Sequence, residues 1–236
     1  MNSGSIPLSG TILLMLNMFM IKESISTAII KSQHCQRNWD LTKEIPEDDL
    51  GVLITAATQC PSKQNIAYYK LHFITNRNVI ERIHSHTTGF VVKLGNDTEP
   101  ATYTTNSQTL ANLVIVFEDY LDLSNISNKL RNDQTRAIGT KDEEAARSQI
   151  NFDKHVAIGV ASGYLNLTAS MLGYSTGFCS CMDHQGIKTE LNLENSPLLI
   201  VGIGFKDELR NRRLHQNSDY LFPTKPKQPI QVNFIK

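Results

Sequence analysis

The stretch from Phe152 to Leu172 constrains this chain most. It is apolar nearly all round a helix, with Ala157, Gly159, Ala161, Ser162 and Gly163 interspersed, and Gly173 stands where a helix C-cap belongs. A helix that is apolar on every face is a buried helix. Its small residues admit another backbone at close range, for instance a twin helix from a second subunit. A chain of 236 residues has room for a core around such a helix within one domain.

The other elements are read from hydrophobic periodicity. Ser24 to Lys31 predicts a short helix. A second helix starts at Pro46, with Glu47, Asp48 and Asp49 in the first turn, where carboxylates suit the helix dipole. Leu50, Leu53, Ile54 and Ala57 then form an amphipathic stripe, which stops at Cys60-Pro61-Ser62. Leu71 to Thr75 predicts a strand, Val79 to His84 a short helix, and Phe90 to Lys93 a further strand. The continuous apolar runs Leu113 to Phe117 and Leu198 to Ile203 predict strands buried on both faces. Two long polar stretches, His86 to Gln108 and Ser124 to Ser148, are candidate covers for a substrate or plain surface insertions. Helices and strands mix without strict βαβ alternation. The expectation is therefore an α+β fold with a central, mostly antiparallel sheet.

Charge and cysteine usage exclude several function classes. Lysine plus arginine and aspartate plus glutamate number 23 each, so no net field draws the chain to nucleic acid or an anionic membrane. Any anion must be held by a local cluster. Cys35, Cys60, Cys179 and Cys181 do not form a disulfide framework, and a reducing cytoplasm is the expected compartment. Cys179, Cys181 and His184 lack the second ligand pair a structural zinc wants, so no metal is expected. The apolar run Leu8 to Ile21 is short for a membrane span and lacks the flanks of a signal peptide. An additional helix, or a start codon upstream of Met18 or Met20, accounts for it.

Four polar patches lie at the edges of these elements: Gln33 to Asp40, Pro61 to Asn65, Gly177 to Ser180, and Arg210 to Arg213. Taken singly, each reads as a turn or a solvated face.

In this order, the patches resemble the nitroreductase family of flavoproteins. His34, Arg37 and Trp39 match its basic opening motif, and Pro61, Ser62 and Asn65 match its P-S-x-x-N turn. Asn106 and Gln108 fit the amide positions before the next buried strand. Leu172-Gly173-Tyr174-Ser175-Thr176 matches the turn after the long helix, and Gly202 with Arg210 to Arg213 closes the pattern. The resemblance spans Ser24 to Leu214. It implies an FMN-binding domain over 24–222, flanked by an N-terminal extension over 1–23 and an extended Pro/Lys-rich tail over 223–236.

The same resemblance implies a homodimer with FMN in the interface and NAD(P)H as co-substrate, reducing a nitroaromatic, a quinone or a similar small acceptor by ping-pong hydride transfer. A phosphate bearing about two charges wants Arg or His donors. His34, Arg37 and one or two of Arg212 and Arg213 are the candidates, with Gln33 and Cys35 also expected at the cofactor. Asn106 and Gln108 are expected at the ring's polar edge, and a turn at Phe178, Cys179 and Ser180 beside it. Pro61, Ser62 and Asn65 are expected to reach the partner's flavin. No side chain is assigned as an acid or base, because positioning and electrostatics carry such chemistry. Gln33 stands where the family often has Arg, Cys35 where it has Ser, and Ala67-Tyr68-Tyr69 where it has Q-P-W. These departures leave room for specialised chemistry, such as dehalogenation or flavin fragmentation, or for a non-enzymatic flavin-binding protein.

Overall fold

The structure is a computed structural model that describes residues 10–92, 101–103, 106–120, 143–223 and 225–235. The first helix, α1, is Gly10–Ser32, so one continuous helix replaces the separate pieces the hydropathy pattern gives. Helix α2 is Glu47–Thr58, directly after Pro46. A 3-10 turn at Lys63–Asn65 leads into β1, Tyr69–Ile74. Helix α3, Arg77–Ser85, is capped by the Asn76 side chain, which accepts from the Val79 N–H at 3.2 Å. A two-stranded ribbon of β2, Phe90–Val92, and β3, Ala101–Tyr103, follows. The sequence reading has β2 but not β3, whose three residues carry no distinctive pattern.

A second 3-10 turn, Ser107–Thr109, precedes β4, Leu113–Asp119. The central helix α4 is Glu143–Met171, β5 is Ser175–Cys179, α5 is His184–Glu190 and β6 is Pro197–Gly204. The main sheet runs β1-β4-β6-β5, and every pair in it is antiparallel. The mostly antiparallel α+β architecture expected from the sequence is therefore the one observed. The cover expected at Ser124 to Ser148 falls outside the described residues up to 142.

Strand β4 is central because it is apolar on both faces. Leu113, Ile115 and Phe117 pack with α2 and α4 residues Leu53, Ala57, Ala161 and Leu165. Val114 and Val116 face Ile80, Ile83 and Ile187 from α3 and α5. A one-residue slip would exchange these two sets.

Helix α4 differs from the expectation in two ways. It begins at residue 143 rather than Phe152. It is also buried on one side only, because Phe152, Val156, Gly159 and Gly163 lie on an exposed face at spacings of four, three and four. An added Cβ at Gly159 or Gly163 would meet nothing within 4 Å. The helix ends as its sequence requires. Gly173 takes φ 95°, and the Tyr174 N–H reaches back to the Ala169 carbonyl at 2.9 Å.

Candidate functional site

The segment 33–39 crosses the C-terminal end of α4 in extended form. Its side chains alternate, as the period of an extended chain dictates. Gln36 and Asn38 turn inward and are buried, while Cys35 and Arg37 face a groove. The inward pair pins the segment to the chain after β6. Gln36 Nε2 donates to the Asn38 carbonyl at 2.8 Å, and Asn38 Nδ2 donates to the carbonyls of Asn211 at 2.7 Å and Leu214 at 2.9 Å. Trp39 is buried, with its indole N–H on the Ser107 carbonyl at 3.0 Å and its backbone N–H on Gln216 Oε1 at 2.6 Å. Sequence reasoning missed Gln36, Asn38 and Gln216. The signal was there in the alternation, but polar residues at inward positions look like loop residues until their partners are known.

The groove has a volume of about 230 Å³ and is lined by Gln33, His34, Cys35, Arg37, Arg212, Arg213, Phe222, Pro223, Lys225 and Lys227. Thus the six cofactor-binding residues expected from the first and last patches all line one groove. Arg37 donates to Gln108 Oε1, and its guanidinium lies 4.2 Å from the centroid of the Phe222 ring. Arg212 donates to the Cys35 carbonyl at 3.3 Å and Arg213 to the Phe222 carbonyl at 3.1 Å. Arg210 turns away and donates to the His215 and Gln216 carbonyls of its own loop.

Among the described residues that line the groove there is no carboxylate, whereas five side chains carry a fixed positive charge. Burial, and then Arg212, push the His34 imidazole down, so it faces the groove as a neutral donor at neutral pH. Burial pushes the Cys35 thiol up, and outweighs the opposite pull of Arg37, the Phe178 N–H and Arg212. The thiol is therefore neutral and offsets none of the charge. A concentration of cations with no carboxylate in the described lining suits an anion with several acceptor oxygens, such as a phosphate.

The amides lie behind Arg37. Gln108 Nε2 donates to the Phe178 carbonyl and to Asn106 Oδ1, each at 3.2 Å. Asn106 Nδ2 donates to the Thr88 carbonyl at 2.6 Å. Gln108 thus links the Arg37 segment to β5. This junction is tight because two strand glycines permit it. A Cβ at Gly177 would stand 2.4 Å from Gln108 Cβ, and one at Gly202 would stand 2.1 Å from the Gln108 carbonyl oxygen.

One expectation needs correction. Gly177, Phe178 and Cys179 do not form a turn but are the end of strand β5, paired with β6, and only Ser180 lies beyond the strand. The reason is β6, whose apolar edge offers this segment a hydrogen-bonded register. Burial pushes the Cys179 thiol up to about 11, and its Sγ donates to the Cys181 carbonyl at 3.5 Å.

Pro61, Ser62 and Asn65 do not line the groove of their own chain. Their turn is tied to the other end of α4, where Lys63 pairs with Asp153 at 2.7 Å. Segment 33–39 is tied near Asn166, whose Nδ2 donates to the Ser32 carbonyl at 3.0 Å. The thirteen residues between those anchors span about 20 Å of helix axis at roughly 1.5 Å per residue.

Sequence reasoning also missed Phe222, Lys225 and Lys227 in the groove. In a β-like extended segment, two lysines at i and i+2 share one side, which was the available signal.

Comparison with known proteins adds the family context. A model described as Nitroreductase family matches residues 30–205. A structure from Staphylococcus epidermidis ATCC 12228, named as a candidate NAD(P)H:FMN oxidoreductase, superposes with a TM-score of 0.56 at 14% identity, covering 84% of this chain and 92% of its own. A nitroreductase family protein from Streptococcus pneumoniae TIGR4 gives 0.53 at 18% identity, with 82% and 93% covered. A protein from Exiguobacterium sibiricum 255-15, solved in complex with FMN, gives 0.53 at 17% identity, with 78% and 89% covered. At these identities the likeness is one of fold. No match is found among proteins of curated function. Among the described residues, no helix is long and apolar enough to cross a membrane.

Proposed function

The chain belongs to the nitroreductase family, and from that premise we propose that it is a homodimeric oxidoreductase that binds FMN and uses NAD(P)H to reduce a small oxidised acceptor, such as a nitroaromatic or a quinone. The observation that carries this reading is the groove of Arg37, Arg212 and Arg213, with no carboxylate among its described lining residues. Its donor set fits the phosphate of FMN. When bound, FMN supplies the redox-active ring between the NAD(P)H donor and the acceptor.

The residues of this chain bind and orient. Arg37 and Arg212 would hold the phosphate, and the His34 ring would add an N–H donor. Gln108 sets the direction of Arg37 through its amide oxygen, and its own amide nitrogen is fixed by Phe178 and Asn106. A pre-set guanidinium loses little freedom when the ligand arrives. No side chain here is assigned to move a proton.

The homodimer rests on the exposed stripe of Phe152, Val156, Gly159 and Gly163 on α4. Two glycines without neighbours let a twin helix approach closely, and Phe152, 62% exposed, would lose its contact with water. A partner's turn of Pro61, Ser62 and Asn65 would then complete the flavin site across the interface.

The test is the visible spectrum of the purified protein, with an FMN titration and a sizing column. A yellow protein, or uptake of one FMN per chain, with the mass of a dimer is the expected result. A colourless monomer that takes up no FMN sinks the reading. Turnover of NAD(P)H with a panel of nitroaromatics and quinones then assigns the acceptor class, and binding of FMN without turnover would make the chain a flavin-binding protein instead.

A further inference from the structure

The groove holds more positive charge than one phosphate needs. Besides Arg213, its fixed cations are Arg37, Arg212, Lys225 and Lys227, and no carboxylate is among the described residues that line it. A phosphate monoester carries about two negative charges, so about two of these four cations exceed what FMN would neutralise. Like charges crowded in a partly desolvated groove repel one another, and a second anion would relieve that repulsion.

The two lysines are held there by the fold. Phe222 is 8% exposed and lies under Arg37 at 4.2 Å. Its backbone is paired with Arg213 in both directions, the Phe222 N–H to the Arg213 carbonyl at 2.9 Å and Arg213 Nη1 to the Phe222 carbonyl at 3.1 Å. The ring also stacks with His215 at 6.2 Å. From this anchor Pro223 and Pro226 stiffen the tail, and Lys225 and Lys227 are exposed on the groove's rim. Neither lysine pairs with a described acid.

The two kinds of cation divide the work. The arginines, fixed by hydrogen bonds, form a rigid fork suited to a resident phosphate. Lysines on flexible stems act as point charges suited to a ligand that comes and goes. We infer that Lys225 and Lys227 form a second phosphoryl-binding subsite, beside that of Arg37 and Arg212, which takes the phosphate-bearing end of the hydride-donating nucleotide. This rests on the FMN reading above, with the tail adding selectivity for the donor.

The experiment compares the native dimer with Lys225→Gln/Lys227→Gln. Binding of NADP⁺, NAD⁺ and pyrophosphate to the FMN-loaded proteins is measured by calorimetry, and FMN affinity by titration of the apoprotein. The double substitution is expected to weaken NADP⁺ roughly tenfold, the size of two exposed cation–phosphate contacts, and NAD⁺ less. Pyrophosphate should compete with NADP⁺ on the native protein. FMN affinity should stay put, and Lys225→Arg/Lys227→Arg should restore NADP⁺ binding. Loss of FMN affinity with NADP⁺ binding unchanged would overturn the inference, since the lysines would belong to the flavin phosphate. No change in either would overturn it too. Should the native chain take up no FMN, the flavin reading falls separately. Pyrophosphate titration of that chain still decides the subsite, with weaker binding to the double variant supporting it and equal binding overturning it.

Discussion

The two ends of helix α4 handle charge in opposite ways. At its N-terminal end, Lys63 meets Asp153 at 2.7 Å, Gln149 donates to the same carboxylate at 2.9 Å, and Lys154 pairs with Asp119 at 2.6 Å. These four charges are all paired, so the cluster holds the fold. Near the C-terminal end, Arg37 and Arg212 share a groove whose described lining supplies carbonyls, an amide and a ring but no acid. Charge without counter-charge adds little to stability and awaits a ligand. The contrast separates a structural cluster from a binding one more sharply than residue type does, since both are rich in lysine or arginine.

The most severe way to break the groove leaves its charges alone. Gly202→Ala sets a Cβ 2.1 Å from the Gln108 carbonyl oxygen, a backbone atom that cannot swing aside. We expect a loss of about 3 kcal/mol and a midpoint lower by roughly 6–12 °C in thermal unfolding. A variant melting with the native protein would show that the Ser107–Thr109 turn can yield.

The second test concerns the underside of that turn. Burial, then His215, push the His84 imidazole down to about 4 from 6.5, and its Nδ1 meets Thr109 Oγ1 at 3.0 Å. The unfolded chain takes up this proton below about 6.5 while the folded chain resists it. Stability is therefore full above that pH and lost as pH falls towards about 4, by up to about 3 kcal/mol. His84→Gln should flatten the midpoint-against-pH curve in that window. An unaltered slope would mean that other groups set it.

Arg37→Ala addresses the groove directly. With no acid partner lost, it should weaken FMN by about tenfold to a hundredfold, the worth of a charge-assisted bond to phosphate, while shifting the unfolding midpoint little. Unchanged flavin occupancy would mean that the phosphate lies elsewhere. Lys63→Met should do the reverse at the other end of α4. Leaving Asp153, whose side chain is 9% exposed, without its lysine should cost about 1 kcal/mol of stability in denaturant titration. If Lys63→Met left stability intact and Arg37→Ala lowered it, the distinction between the two ends would be lost.

Much of this was legible in the chain itself. The apolar run at 113–117 is a central strand because only a strand covered on both faces can bury it. Acidic residues after Pro46 marked the start of α2, and Gly173 marked the end of α4, for reasons local to those residues. Segment 33–39 and Arg212 and Arg213 were also readable as one cluster, through the resemblance that ordered the patches. What the sequence by itself determined, then, was where regular structure begins and ends, which runs are core, and which residue types await an anion.

Only tertiary structure decided the rest, because it depends on what meets across the chain. Residues Gly177 to Cys179 become a strand because β6 offers an edge. Residue Asn38 is buried because the carbonyls of Asn211 and Leu214 receive it, and Gln36 because the Asn38 carbonyl does. The tail lysines reach the groove because Phe222 docks under Arg37. Charge, finally, becomes structural or ligand-seeking according to whether an acid lies within reach, and that is a property of the folded neighbourhood rather than of the residue.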